Sequence, residues 1–195
     1  MSTELLTHEV RQRRSGTAVL GLILGGYAFF ALAISGSLRQ TVDDLTKNMP
    51  QTLKVFVGSN VSGGYVVGET FTLIAPITLV AYAVIAGASA VAGDERDGTM
   101  SMLSAQPITR TRILLAKAGG LALSLVAVTA LFWAGIALAN LAYGAELTVG
   151  ALAAGTIHLL FLGLAFTAIA IAIGAATGRP EIAASVAGGS RSRPT

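Results

Sequence analysis

Long apolar runs without charged side chains alternate with more polar segments along this chain. Each run exceeds the roughly 20 residues that a helix needs to cross the hydrocarbon of a bilayer. The runs are rich in Ala, Leu and Gly and show no alternation with a period of two, so helices are predicted. The four predicted spans are residues 15–38, 70–93, 118–145 and 147–178.

The overall composition leads to the same class of protein. The chain is 53% hydrophobic and only 12% charged, with a mean hydropathy of +0.72, which is more apolar surface than one soluble core can bury. We therefore predict an all-α integral membrane protein with a single transmembrane domain over residues 1–195. The first run follows three arginines, as in a secretory signal, but it is long and lacks a convincing cleavage site. We expect it to be retained as a span.

Basic residues are distributed unevenly between the two sides that these spans define. Ten of the 13 Lys and Arg residues lie on the side of both termini and of the segment between the second and third spans. Because basic residues collect in the cytoplasm, we predict a multi-pass plasma membrane protein with both termini cytoplasmic. The net charge of +3 then reflects topology, and no nucleic acid partner is expected. The ten residues are Arg11, Arg13, Arg14, Arg96, Arg110, Arg112, Lys117, Arg179, Arg191 and Arg193.

Side chains suited to catalysis or metal binding are scarce. The chain has no Cys, which excludes disulfides, thiol nucleophiles and thiolate metal sites. His158 lies inside the fourth apolar run, where an ionisable group is a candidate for function. The alternative, which we favour, is a neutral imidazole bonded to a backbone carbonyl or to Thr156. We predict no catalytic residue, no cofactor and no metal ion.

Small residues inside the spans form two pairs at helical spacing. Gly21 with Gly25, and Gly135 with Ala139, are each four residues apart, which allows two helix backbones to approach closely. The alternative is that glycine is simply abundant, since the chain has 23. Pro76 is predicted to kink the second span unless it lies in the first turn.

The polar segment between the second and third spans, residues 94–117, has a pattern of its own. Charges at residues 94–97 force the chain out of the hydrocarbon. Gly98 and Thr99 then favour the start of a short helix, with an acidic side chain placed at the positive end of its dipole. Pro107 ends this helix.

Met100 and Leu103 would give the short helix one apolar side, and two interpretations of that side remain open. It suits docking into a groove of a partner protein, where the flexible Met side chain is favoured. It suits equally a helix that lies on the lipid surface with its charged residues solvated.

This segment resembles, nearly position by position, the cytoplasmic coupling segment of type-2 ABC exporter permeases, and the resemblance favours docking. In that family the segment docks on a separate ATP-hydrolysing subunit. We take the residues of this pattern, together with Met100 and Leu103 of the apolar side, as the candidate site for coupling to such an ATPase. They are Glu95, Arg96, Asp97, Gly98, Thr99, Met100, Leu103, Gln106, Pro107 and Arg110.

The resemblance extends from Met1 to about Gly189 and carries further implications. It implies that an N-terminal interfacial helix over residues 1–14 precedes the four predicted transmembrane helices, and that the segment between the second and third spans contains a short cytoplasmic coupling helix. It also implies a pore formed with a second permease chain, identical or different, in a bacterial or archaeal membrane. The sequence has no phosphate-binding Gly-x-x-x-x-Gly-Lys-Ser/Thr string, so we expect a transport subunit rather than an enzyme.

Family members normally have six spans, and here the chain departs from them. Residues 179–195 are predicted to form an incomplete fifth span and a tail, because the apolar run from Ile182 to Gly189 is too short to cross a bilayer. We expect a truncated permease, or one whose missing spans come from another chain. Two functions stay open: an exporter permease that forms the substrate pathway, and a non-transporting assembly or regulatory partner derived from one.

Overall fold

The computed structural model describes residues 2–53, 64–96, 110–145 and 147–177, and every regular element among them is helical. In chain order the elements are α1 (Ser2–Thr46), α2 (Gly64–Glu69), a π-helix (Thr70–Ile74), α3 (Ala75–Arg96), α4 (Arg110–Tyr143) and α5 (Val149–Thr177). This part of the chain contains four segments long and apolar enough to cross a membrane: Arg13–Ser35, Val66–Ala90, Leu114–Tyr143 and Val149–Ala176. The prediction of an all-α integral membrane protein with four spans is confirmed.

Helix α1 runs without a break from Ser2 to Thr46. The segment predicted as a separate interfacial helix, residues 1–14, is therefore continuous with the first span from Ser2 onward. The physical reason is that no proline interrupts this region, since the first proline of the chain is Pro50. After α1, the backbone N–H of Leu53 donates to the carbonyl oxygen of Pro50 over 3.0 Å and forms a turn.

The second span combines α2, the π-helix and α3, and Pro76 explains where the hydrogen-bond ladder changes. Pro76 has no N–H, and in a regular α-helix its ring would clash with the carbonyl of Thr72. Directly before it, the N–H of Ala75 donates to the carbonyl oxygen of Thr70, five residues back, in the π-helical pattern. The wider turn relieves the clash, so the span continues to Arg96 instead of ending at the proline.

The connection between α4 and α5 is short and closed by hydrogen bonds. Gly144 has a φ of 61°, the left-handed conformation that often ends a helix, and its N–H donates to the Asn140 carbonyl oxygen over 3.0 Å. The Asn140 side chain then donates from Nδ2 to the Leu147 carbonyl oxygen over 2.9 Å. In return the Leu147 N–H donates to Asn140 Oδ1 over 3.1 Å. One amide side chain thus satisfies both backbone groups of Leu147.

The chain divides into two compact units, and each contains parts of all four spans. One unit comprises Met1–Thr17, Ile77–Val126 and Leu160–Thr195, and the other comprises Ala18–Pro76 and Ala127–Leu159. The first has a buried apolar cluster of Ala86, Ala90, Leu121 and Ile171. The second has one of Leu32, Ala139 and Ala145. Each cluster includes two alanines, whose small side chains let helices pack closely.

Large apolar side chains lie on the outside of the spans as well as in the clusters. Phe30 in α1, Ile85 in α3, Leu141 in α4 and Phe161 in α5 each leave more than three-fifths of their surface exposed. A soluble monomer rarely exposes apolar side chains on every long helix. This surface is the one expected of helices surrounded by lipid.

Candidate functional site

The structure describes the two helices that flank the predicted coupling segment. Glu95 and Arg96 are the last two residues of α3, and Arg110 is the first residue of α4. These three predicted site residues therefore belong to the helix ends that carry the segment. The other seven lie outside the described residues: Asp97, Gly98, Thr99, Met100, Leu103, Gln106 and Pro107. We call residues 97–109 the connector, and its role in coupling stays a prediction.

Lys117 joins α4 to α3 close to the connector. Its side chain is only 7% exposed, and its Nζ donates a hydrogen bond to the carbonyl oxygen of Ala90 over 2.5 Å. A buried ammonium group is costly unless it is hydrogen-bonded, and a helix carbonyl has a second lone pair with which to accept. Sequence reasoning counted Lys117 only as a cytoplasmic charge and missed this contact. One feature of the sequence could have indicated the contact. Lys117 lies on the same helical face as Leu114 and Leu121, in an otherwise apolar helix.

A second polar contact in the same unit joins α1 to α3. Thr17 is buried, and its Oγ1 lies 3.4 Å from the hydroxyl oxygen of Tyr82. Hydroxyl groups at membrane depth commonly pair across helices in this way. Helix α3, whose end carries the connector, therefore has polar contacts to two other spans.

The small residues predicted to mark packing faces lie where α1 meets α4. A Cβ atom on Gly135 would lie 2.3 Å from the Gly25 carbonyl oxygen, and one on Gly25 would lie 2.6 Å from the Leu131 carbonyl oxygen. A Cβ atom on Gly21 would lie 2.6 Å from Leu131 Cδ1. Ala139, one turn beyond Gly135, is fully buried. The prediction that these residues form packing faces is confirmed.

Gly87 forms a similar close contact that sequence reasoning did not single out. A Cβ atom on Gly87 in α3 would lie 2.9 Å from Ala170 Cβ and 3.1 Å from the Thr167 carbonyl oxygen, both in α5. The only signal in the sequence was a glycine in the middle of a span, which does not identify the facing helix.

An apolar cavity of about 260 Å³ opens between the second span and the start of α5. Phe71 of the π-helix borders it, and the ring occupies the space that a side chain on Gly155 would fill. The same ring packs edge-on against Phe132, with 5.3 Å between the ring centroids. Val67 and Leu152 complete most of the apolar wall. A cavity with this lining suits an alkyl or aryl group.

His158 lies on an exposed part of α5, and its Nδ1 is 2.8 Å from the carbonyl oxygen of Ala154. This is the backbone pairing that we favoured from the sequence. Within the described residues, no group of three or more His, Asp and Glu side chains is arranged to hold a metal ion.

Four apolar helices of spanning length, with polar side chains paired between them and large apolar side chains outside, define a multi-pass membrane protein. The family model described as ABC-2 family transporter protein matches residues 4–190. The chain therefore belongs to the ABC-2 family, the membrane permeases of ABC-type transport, as the resemblance of the connector indicated. No curated protein and no solved structure shows a significant match to it.

Proposed function

We propose that this chain is the membrane-spanning subunit of an ABC exporter, which forms the substrate pathway and couples to a separate ATPase subunit. The observation that carries the proposal is membership in the ABC-2 family, with a match over residues 4–190. The sequence contains no phosphate-binding Gly-x-x-x-x-Gly-Lys-Ser/Thr string, which fits a division of labour with an ATP-hydrolysing partner.

In this proposal the connector makes the contact with the ATPase on the cytoplasmic side. The cytoplasmic placement is supported by the distribution of basic residues, ten against three. The contact itself is assigned to the apolar side formed by Met100 and Leu103, which would enter a groove of the ATPase. Motion of the ATPase would then reach the membrane through the ends of α3 and α4, at Arg96 and Arg110.

A second permease chain, identical or related, completes the pathway in this proposal. The support is the exposed apolar surface of the spans, which can be covered by helices of another chain as well as by lipid. In this proposal, substrate is exported by alternating access between the two chains. We propose a bacterial or archaeal plasma membrane as the location of this multi-pass protein.

The coupling contact is tested by two pairs of substitutions in the connector. Met100→Asp with Leu103→Asp places two charges on the proposed docking side, and Ser101→Asp with Ala105→Asp places two on the other side of the same predicted helix. Burial of unpaired charge should reduce recovery of the ATPase with the first variant by about tenfold or more. Recovery with the Ser101→Asp, Ala105→Asp variant should equal that of the parent chain. Equal recovery with both variants would show that Met100 and Leu103 do not form the contact.

A further inference from the structure

We infer that Lys117 is a positioning residue that holds α3 and α4 together at the base of the connector, so that both helices follow the connector as one body. The inference rests on the proposed function in one respect, namely that the connector transmits motion from the ATPase.

The bond lies close to the connector on both helices. Ala90 is six residues before the end of α3 at Arg96, and Lys117 is seven residues after the start of α4 at Arg110. At about 1.5 Å per residue, the bond lies roughly 9 to 11 Å along each helix from the connector. It links the two helices directly, whereas Ser124, further along α4, donates to the Gly120 carbonyl oxygen of its own helix.

The burial of Lys117 distinguishes it from an ordinary basic residue at a membrane surface. A lysine that serves only topology directs its ammonium group into water or head groups. The Lys117 side chain is instead only 7% exposed. Its ammonium group donates to the carbonyl oxygen of Ala90, which belongs to the apolar cluster of this unit. The charge is thus placed where it contacts a neighbouring helix.

The apolar cluster around Ala90 consists of contacts that have no preferred direction. Its members include Ala86, Ala90 and Leu121, whose contacts depend on area and leave the helices able to slide along one another. A buried hydrogen bond to one particular carbonyl fixes the register, which is the best-attested role of buried polar groups in helix packing. Lys117 therefore sets the axial position of α4 against α3.

The test compares three substitutions in α4. Lys117→Met keeps a long apolar side chain and removes the donor, so the cluster stays filled and the fold should be retained. Lys117→Arg keeps a cationic donor. Ser124→Ala is the matched control, because it removes a buried side-chain hydrogen bond that stays within α4.

The first readout is the spread of distances between α3 and α4 in the purified full-length protein. Nitroxide labels at Ser89→Cys and Leu115→Cys report it by electron spin resonance, because both side chains are exposed and the chain has no cysteine of its own. Lys117→Met should roughly double the width of the distance distribution, because the register is no longer fixed. Lys117→Arg and Ser124→Ala should keep the parent width. A parent-like width in Lys117→Met would overturn the inference.

The second readout is ATP hydrolysis by the complex with the ATPase subunit. Lys117→Met should bind the ATPase as the parent does but lose most of the effect that the permease has on ATP turnover, and Lys117→Arg should restore it. Unchanged turnover in Lys117→Met, with a broadened distance distribution, would overturn the positioning role. If the parent chain binds no ATPase, the proposed function fails, while the distance measurement still decides whether Lys117 holds the two helices together.

Discussion

At the scale of single residues, neighbouring positions of the same type have opposite roles. Gly25 and Gly26 are adjacent in the middle of α1. A Cβ atom on Gly25 would lie 2.6 Å from the backbone oxygen of Leu131, whereas one on Gly26 would have nothing within 4 Å. The sequence predicted the importance of Gly25 from its spacing to Gly21. It could not identify α4 as the facing helix, because that depends on packing between distant segments.

This contrast gives a matched pair of substitutions. Gly25→Ala should lower the free energy of unfolding in detergent micelles by about 1–3 kcal/mol, because the obstructing atom belongs to a backbone and must move with its helix. Gly26→Ala should leave it unchanged or raise it by up to about 1 kcal/mol, since alanine favours the helix and meets open space. The comparison of the two unfolding curves checks both values. Equal destabilisation by the two substitutions would contradict the close approach of α1 and α4.

At the scale of elements, the charge-free runs predicted the spans better than the ends of the helices. The third run begins at Ala118, but α4 begins at Arg110, because a charge ends the hydrocarbon segment without ending the helix. The π-helix was not predicted, although Pro76 indicated a disturbance there. A proline removes one N–H and crowds the carbonyl four residues before it, but this does not by itself specify a π-helix. No local sequence pattern predicted that the Asn140 side chain hydrogen-bonds to Leu147 across the α4–α5 connection.

The connection between α4 and α5 can be tested at Asn140. Asn140→Ala removes two hydrogen bonds to Leu147 and should lower the free energy of unfolding by about 1–3 kcal/mol, at about 0.5–1.5 kcal/mol for each bond. Leu141→Ala is the control, because Leu141 is adjacent in α4 and 77% exposed, and its substitution should change stability by no more than about 0.5 kcal/mol. Chemical unfolding in micelles measures both. A parent-like stability of Asn140→Ala would show that the side chain does not hold the connection.

At the scale of the whole molecule, composition and hydropathy predicted the class of protein, and the connector predicted the family. Both follow from the sequence because membrane spans, and the segment that resembles the coupling segment of this family, have local patterns. The buried bond between Lys117 and Ala90 joins residues 27 positions apart, and a count of basic residues gives no indication of it. The orientation of the chain in the membrane remains a prediction from that count.

The orientation is tested by single cysteines at Ser59 and Ser104, since the chain has none of its own. A membrane-impermeant thiol reagent applied to intact cells should label Ser59→Cys and leave Ser104→Cys unlabelled, because the basic residues place the connector in the cytoplasm. Permeabilised cells should show labelling at both positions, which controls for reactivity. Labelling of Ser104→Cys but not of Ser59→Cys in intact cells would show that the orientation is the reverse of the predicted one.

We propose above all that this ABC-2 permease responds to ATP hydrolysis on a partner through its connector. The most direct measurement is ATP turnover by the purified ATPase subunit in lipid nanodiscs, alone and with the full-length chain. We predict that the parent chain changes the turnover number severalfold and that the Met100→Asp, Leu103→Asp variant has no effect, because its docking side carries unpaired charge. The Ser101→Asp, Ala105→Asp variant, whose charges lie on the other side of the predicted helix, should act as the parent does. Turnover that is the same with and without the parent chain would contradict the claim.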